Sequence, residues 1–99
     1  MKWQEARVIY PDRWLVIEAL ETHTESDRKV KLDEIAVLDI CDDGGKVMRL
    51  YQSWRQKLRG REILFVHSAN AEPNLYDLTD QGRFYHVPRP APRVERIYD

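Results

Sequence analysis

Residues 44–61 read GGKVMRLYQSWRQKLRGR, and this stretch decides the fold. Five apolar side chains fall within an arc of about 100° when the chain is wound at 3.6 residues per turn. They are Val47, Leu50, Tyr51, Trp54 and Leu58. This spacing predicts one amphipathic helix whose apolar stripe packs on a sheet. Either Asp42 or Asp43 can cap its first N–H groups, and Gly60 suits the left-handed position that ends it.

Two long apolar segments precede this helix. Residues 14–24, WLVIEALETHT, are apolar on both alternating faces, which is typical of a strand covered on two sides. A helix is the alternative for them, because residues 18–21 are good helix formers and Pro11 suits a first helical position. Residues 29–41, KVKLDEIAVLDIC, predict a second strand that is interrupted by a bulge at Asp33 and Glu34. A polar turn at 25–28 lets the two strands pair as an antiparallel hairpin.

The remaining segments complete an α+β fold. Residues 62–68, EILFVHS, predict a third strand, which we expect to run parallel to the second through a right-handed crossover. Residues 75–78 and 83–87 predict a final hairpin, and residues 7–10 a short edge strand stopped by Pro11. The predicted sheet is small and mostly antiparallel, in the order β-β-α-β-β-β, with one helix packed on one face.

Length and composition limit the classes of protein that are possible. The chain has 99 residues and a net charge of −1, so we expect one domain without general attraction to nucleic acid or membranes. That domain covers residues 1–87, and residues 88–99 form a Pro/Arg-rich tail that is extended or disordered. The single cysteine, Cys41, excludes an intramolecular disulfide and is expected to be buried. Without a signal peptide or a membrane-spanning apolar run, a cytoplasmic location is expected.

Two segments resemble a family of short bacterial proteins of unknown function. Residues 10–24, YPDRWLVIEALETHT, and residues 61–68, REILFVHS, carry the resemblance together with Tyr51 on the intervening helix. The resemblance implies a free-standing small bacterial protein. It implies no established activity, cofactor or catalytic set, so it assigns no residue a role.

The charges are divided along the chain. Residues 44–61 contain six cations and no acid, whereas residues 12–43 contain ten acids. An exposed cationic helix face attracts an acidic protein or a phosphate backbone. The alternative is ordinary helix solvation, with cations that favour the helix C-terminus or pair with acids of the hairpin. The candidate partner-binding residues are Lys46, Arg49, Arg55, Lys57, Arg59 and Arg61.

Other chemistry has weaker support in the sequence. His23, His67 and His86 lack metal-ligand spacing, although His23 and His67 would approach each other if the first and third strands were neighbours. Acids beside Cys41 disfavour a Cys–His nucleophile. Glu18 and Asp39 interrupt apolar strands, so we expect each to face solvent or meet an arginine, with acid–base catalysis as the lesser alternative.

These observations favour a non-catalytic domain that has no cofactor or metal and binds another protein or a second copy of itself. A homodimer is slightly favoured, because strands that are apolar on both faces need cover on both and one helix covers one face. The final hairpin is the other possible cover. A nucleic-acid-binding accessory protein that uses the basic helix and the tail is the alternative function, and an enzyme comes third.

Overall fold

Two helices and five strands are present in residues 1–76 and 85–86, which are the residues that this computed structural model describes. In chain order they are α1 (Trp3–Ile9), β1 (Trp14–Thr24), β2 (Val30–Cys41), α2 (Gly44–Lys57), β3 (Ile63–His67), β4 (Leu75–Tyr76) and β5 (Tyr85–His86). The α+β class and the small antiparallel sheet are confirmed. The predicted tail, residues 88–99, lies outside the described residues.

β1 is the central strand of the main sheet. The order is β2-β1-β3, and β1 is antiparallel to both neighbours, so that Trp14 aligns with Cys41 on one side and His67 on the other. Residues 14–24 are therefore a strand, and the helical alternative is wrong. β3 runs in the same direction as β2 but pairs with β1 between them. β4 pairs with β5 in a separate two-stranded sheet, which confirms that part of the final hairpin.

A register shift lies where the sequence predicted a bulge. Glu21 aligns with Glu34 and Thr22 with Leu32, so Asp33 has no partner on β1. Val30 and Ile35 are an odd number of residues apart and would face opposite sides of a regular strand. The extra residue between them allows both to enter the same apolar cluster, where they are 2% and 1% exposed.

The sheet is covered on both faces. On one face Val16 and Ile63 pack with Val47 of α2, and Trp54 and Leu58 extend this cluster along the helix. The side chain of Asp43 accepts the N–H of Gly45 at 3.0 Å, and Gly60 has φ +81°, as the predicted cap and C-terminal glycine require. The apolar stripe of residues 47–58 is therefore directed at the sheet, and the cations of residues 46–59 are exposed to solvent.

The other face is covered by α1, where the sequence predicted an edge strand at 7–10. That prediction is wrong: residues 3–9 form a helix, in which Trp3 and Ala6 are one turn apart. Both are buried with Leu75 in the apolar cluster that also contains Val30 and Ile35. Trp3 Nε1 donates to the carbonyl of Asn70 at 3.0 Å, and Arg7 Nε to that of Ser68 at 2.9 Å. These tertiary contacts override the β-propensity of the apolar residues near Pro11.

One helix was expected to cover one face of the sheet, and the structure has a second helix, α1, on the other face. The bare second face was the reason for favouring a homodimer, and α1 and Leu75 cover it within the chain. The dimer itself stays a prediction, without that reason to favour it.

Substitution of Trp3 measures what α1 contributes. Trp3→Ala is expected to lower the free energy of unfolding by about 3–5 kcal/mol, because it opens a cavity beneath α1. Trp3→Phe, which keeps an aromatic ring but leaves the Asn70 carbonyl without its donor, should cost about 1–2 kcal/mol. Urea denaturation provides both values, with the exposed Val8→Ala as a control within about 0.5 kcal/mol of wild type. Equal stability of all three variants would contradict the position of α1.

Candidate functional site

The candidate surface is the solvent side of α2 and the turn after it. Lys46, Arg49, Arg55, Lys57 and Arg59 are all exposed. Among residues 1–76, none of these five side chains lies within 4.0 Å of a carboxylate. Pairing with hairpin acids, which was part of the alternative interpretation of these cations, therefore does not occur at these five positions.

Arg61, the sixth predicted residue of the surface, is engaged within the fold. Its Nε and Nη2 atoms donate to the two carboxylate oxygens of Glu18 at 2.6 and 2.7 Å. Glu18 lies in the middle of β1 with its side chain 7% exposed, and it aligns with Ile63 on the face that α2 covers. The bidentate pair satisfies a carboxylate that would otherwise be buried without a partner. This is the arginine that Glu18 was predicted to meet.

Several acids of the β1–β2 hairpin have partners other than the cations of α2. Glu34 binds the Met1 amino group, and that ammonium lowers the pKa of the Glu34 carboxyl below its ordinary value. Asp33 accepts from His23 Nδ1 at 2.8 Å. Asp39, which was expected to face solvent or meet an arginine, is half-buried and accepts from Trp54 Nε1 at 3.1 Å. The acidic segment is therefore partly neutralised locally, while the basic helix is not.

The cations of α2 form two groups. At 3.6 residues per turn, Lys46, Arg49 and Lys57 lie within an arc of about 80°. Arg55 lies at least about 120° away from each of them around the helix axis. Lys57 Nζ is 5.1 Å from the centre of the Trp54 ring, and the Arg55 guanidinium is 5.6 Å from that of Tyr51. The two aromatic residues of the apolar stripe therefore hold cations on opposite flanks.

An open groove adjoins the larger group of cations. It has a volume of about 710 Å³ and lies between the start of α2 and the end of β2. Lys46 and Arg49 line it together with Arg13, which comes from the start of β1. The sequence offered no signal for Arg13, because the antiparallel register alone brings the start of β1 beside the end of β2.

The two strand-end histidines are far apart. His67 aligns with Trp14 at one end of β1, and His23 aligns with Lys31 near the other, nine residues or about 30 Å along the strand. The predicted approach of His23 to His67 is therefore wrong, although β1 and β3 are neighbours. Among the described residues, no three histidine, cysteine or acidic side chains form a cluster that could hold a metal.

A Cys–His pair is also prevented by the register. Cys41 and His67 flank Trp14 in one row across the sheet, so their Cα atoms are two strand spacings, or about 10 Å, apart. The indole of Trp14 packs edge-on against His67, with ring centres 5.1 Å apart. His67 Nδ1 accepts the N–H of Ala69 at 3.1 Å, and Nε2 lies 3.5 Å from Asp12 Oδ1. Cys41 is half-buried rather than fully buried, with Sγ 3.4 Å from the carbonyl oxygen of Asp43.

Comparison of the chain with protein-family models, with curated proteins and with solved structures finds no match in any of the three. The resemblance to a family of short bacterial proteins therefore stays a prediction. Neither helix in the described part of the chain has the length and apolar content to cross a bilayer.

Replacement of Arg61 and of Arg59, one at a time, tests whether Arg61 alone has a structural role. Arg61→Ala leaves the Glu18 carboxylate buried and without its bidentate partner, so it is expected to lower the midpoint of urea denaturation. Arg59→Ala removes the same side chain two residues earlier, where no carboxylate is in contact, and should leave the midpoint nearly unchanged. If the two variants are equally stable, the Glu18–Arg61 pair does not support the fold.

The two histidines are expected to titrate on opposite sides of their ordinary value. The hydrogen bond to Asp33 raises the pKa of His23, whereas burial lowers the pKa of His67, which the Asp12 carboxylate partly offsets. The contribution of His23 to stability is therefore complete below its ordinary pKa and disappears as the pH rises through the raised value. The contribution of neutral His67 is present above its ordinary pKa and is lost as the pH falls through the lowered value.

Proton NMR titration checks these directions. Asp33→Asn should bring the pKa of His23 down towards its ordinary value, and Asp12→Asn should lower that of His67 further. Asp27→Asn, on the hairpin turn, is the control and should move neither. A single pKa common to both rings would be inconsistent with the geometry.

Proposed function

We propose that this protein is a non-catalytic binding domain whose partner is an acidic surface of another protein, recognised through α2. One observation carries the proposal. Five exposed cations of residues 46–59 have no carboxylate in contact among the described residues, and the hairpin acids Glu34 and Asp33 are bound to the Met1 amine and to His23 instead. A cationic surface of this kind attracts acidic partners and orients them as they approach.

A protein partner accounts for the arrangement better than a nucleic acid does. A phosphate backbone is tracked by a continuous basic stripe. Here Lys46, Arg49 and Lys57 lie on one side of α2 and Arg55 on another. Asp42 and Asp43 stand at the α2 N-terminus, and the Asp43 side chain already accepts the N–H of Gly45 that a phosphate would use. The nucleic-acid-binding accessory protein remains the alternative that the experiment below tests.

The setting of this function is part of the proposal. We place the protein in the bacterial cytoplasm, because the chain has one cysteine and no disulfide framework and resembles short bacterial proteins. Association of two copies would be an additional interaction, not a requirement for covering the sheet.

A salt series with three probes tests the proposal. Fluorescence anisotropy is measured with labelled poly-glutamate peptide, single-stranded RNA and duplex DNA. We expect the peptide to bind at low ionic strength and to be released as salt rises. The triple variant Lys46→Gln, Arg49→Gln, Lys57→Gln should weaken peptide binding about fivefold, since each exposed charge contributes a few tenths of a kcal/mol.

A second triple variant serves as the matched control. Lys2→Gln, Arg28→Gln, Lys29→Gln removes the same number of charges outside α2 and should weaken peptide binding much less. If the two triple variants lose the same affinity for the peptide, net charge alone explains the binding, and α2 is rejected as the binding surface. Tighter binding of RNA or DNA than of the peptide at equal salt would favour the alternative function.

A further inference from the structure

The groove beside α2 has a cationic wall that comes from two separate parts of the chain. Lys46 and Arg49 are three residues apart and therefore neighbours on one side of α2, and Arg13, the residue before β1, joins them. Arg13 Nη1 donates to the carbonyl of Asp12 at 3.1 Å, and all three side chains are exposed. None of the three is in contact with a carboxylate of the described residues.

The remaining lining of the groove is mostly apolar. Ile40 is 42% exposed there, next to the half-buried Cys41 and Leu50. Exposed apolar side chains bordered by charged ones are typical of a protein-binding surface, in which an apolar centre is surrounded by a polar rim. A volume of about 710 Å³ is that of a site for several neighbouring groups rather than one carboxylate.

Asp42, the acid in the lining, limits which anions fit. A densely charged phosphate chain would bring negative charge against this carboxylate. A single carboxylate can instead lie between Arg13, Lys46 and Arg49, where guanidinium groups form bidentate hydrogen bonds. Charge complementarity and the exposed Ile40 together define a mixed occupant, with one acidic and one apolar side chain side by side.

We propose that this groove is the anchor point for the acidic partner and takes a short peptide segment in which a carboxylate side chain lies next to a large apolar one. The inference rests on the proposed function and names the chemistry recognised at one part of its surface. The apolar side chain contacts Ile40 and Leu50, and the neighbouring carboxylate pairs with Arg49 and Arg13. The Arg55 side of α2 then contributes long-range attraction and little direct contact.

Three synthetic peptides test the inference on the 99-residue chain. The first has glutamates on both sides of one leucine, the second replaces that leucine with serine, and the third replaces the glutamates with glutamine. Amide chemical shifts in ¹⁵N-labelled protein report where each peptide binds. We expect the first peptide to shift residues 40–42 and 46–50, and each replacement to weaken its binding at least about fivefold.

Two double variants, in α2 and the turn after it, provide the control. Lys46→Ala/Arg49→Ala should weaken binding of the first peptide at least about fivefold, and Arg55→Ala/Arg59→Ala less than about twofold. Alanine keeps helix propensity, so α2 should stay folded, and circular dichroism checks this. The single thiol gives an independent measure, because an occupied groove should slow the reaction of Cys41 with a neutral aromatic disulfide.

The outcomes separate this inference from the proposed function. The groove is rejected as the anchor point if binding needs the glutamates but not the leucine, or if both double variants weaken it equally. Either result is still compatible with an acidic partner that binds α2. Binding of none of the peptides at low salt overturns both. If the protein associates with itself and this association excludes the peptide, the occupant of the groove is a second copy of the chain and the proposed peptide segment is rejected. Light scattering detects such self-association.

Discussion

The burial of β1 on both faces is the constraint from which the rest of the structure follows. Leu15, Val16 and Ile17 are consecutive and each is 0% exposed. Because successive side chains of a strand point to opposite faces, both faces of the sheet must be covered by other parts of the chain. α2 covers one face, and α1 with Leu75 covers the other. The short α1 is stable in this position because it packs on a sheet, not because of its own propensity.

The same constraint determines where the charges lie. Since the apolar stripe of α2 must face Val16, its cations must face away from the sheet, and Lys57 and Arg55 extend over the flanking rings of Trp54 and Tyr51. Glu18 lies on the same face of β1 as Val16, so it is buried on the side of the sheet that α2 covers. Arg61 donates two hydrogen bonds to its carboxylate there. One arginine of the basic segment is therefore paired within the fold, and the other five cations are exposed.

The register of the sheet determines the positions of reactive and charged side chains as well as the packing of apolar ones. Trp14 separates Cys41 from His67, so the thiol and the imidazole cannot form a nucleophilic pair, and His23 lies at the far end of the same strand. The register also brings Arg13 beside the first turns of α2, which completes a cationic groove with Ile40 exposed in it. Of the cations that the sequence shows as a linear run, Lys46 and Arg49 therefore line this groove with Arg13, while Arg55 lies on another side of α2.

Local patterns in the sequence determined α2, its Asp43 cap, Gly60, the β1–β2 hairpin and the bulge at Asp33, because each depends on residues close together along the chain. The exposed position of the α2 cations follows from the same periodicity. Tertiary structure alone decided that residues 3–9 are helical, since Trp3 and Arg7 bond to residues 68–70, more than sixty positions away. It also decided that β1 is central, that Arg61 pairs with Glu18, and that Arg13 reaches the groove, because strand order and register are set by the packing of distant segments rather than by local propensity.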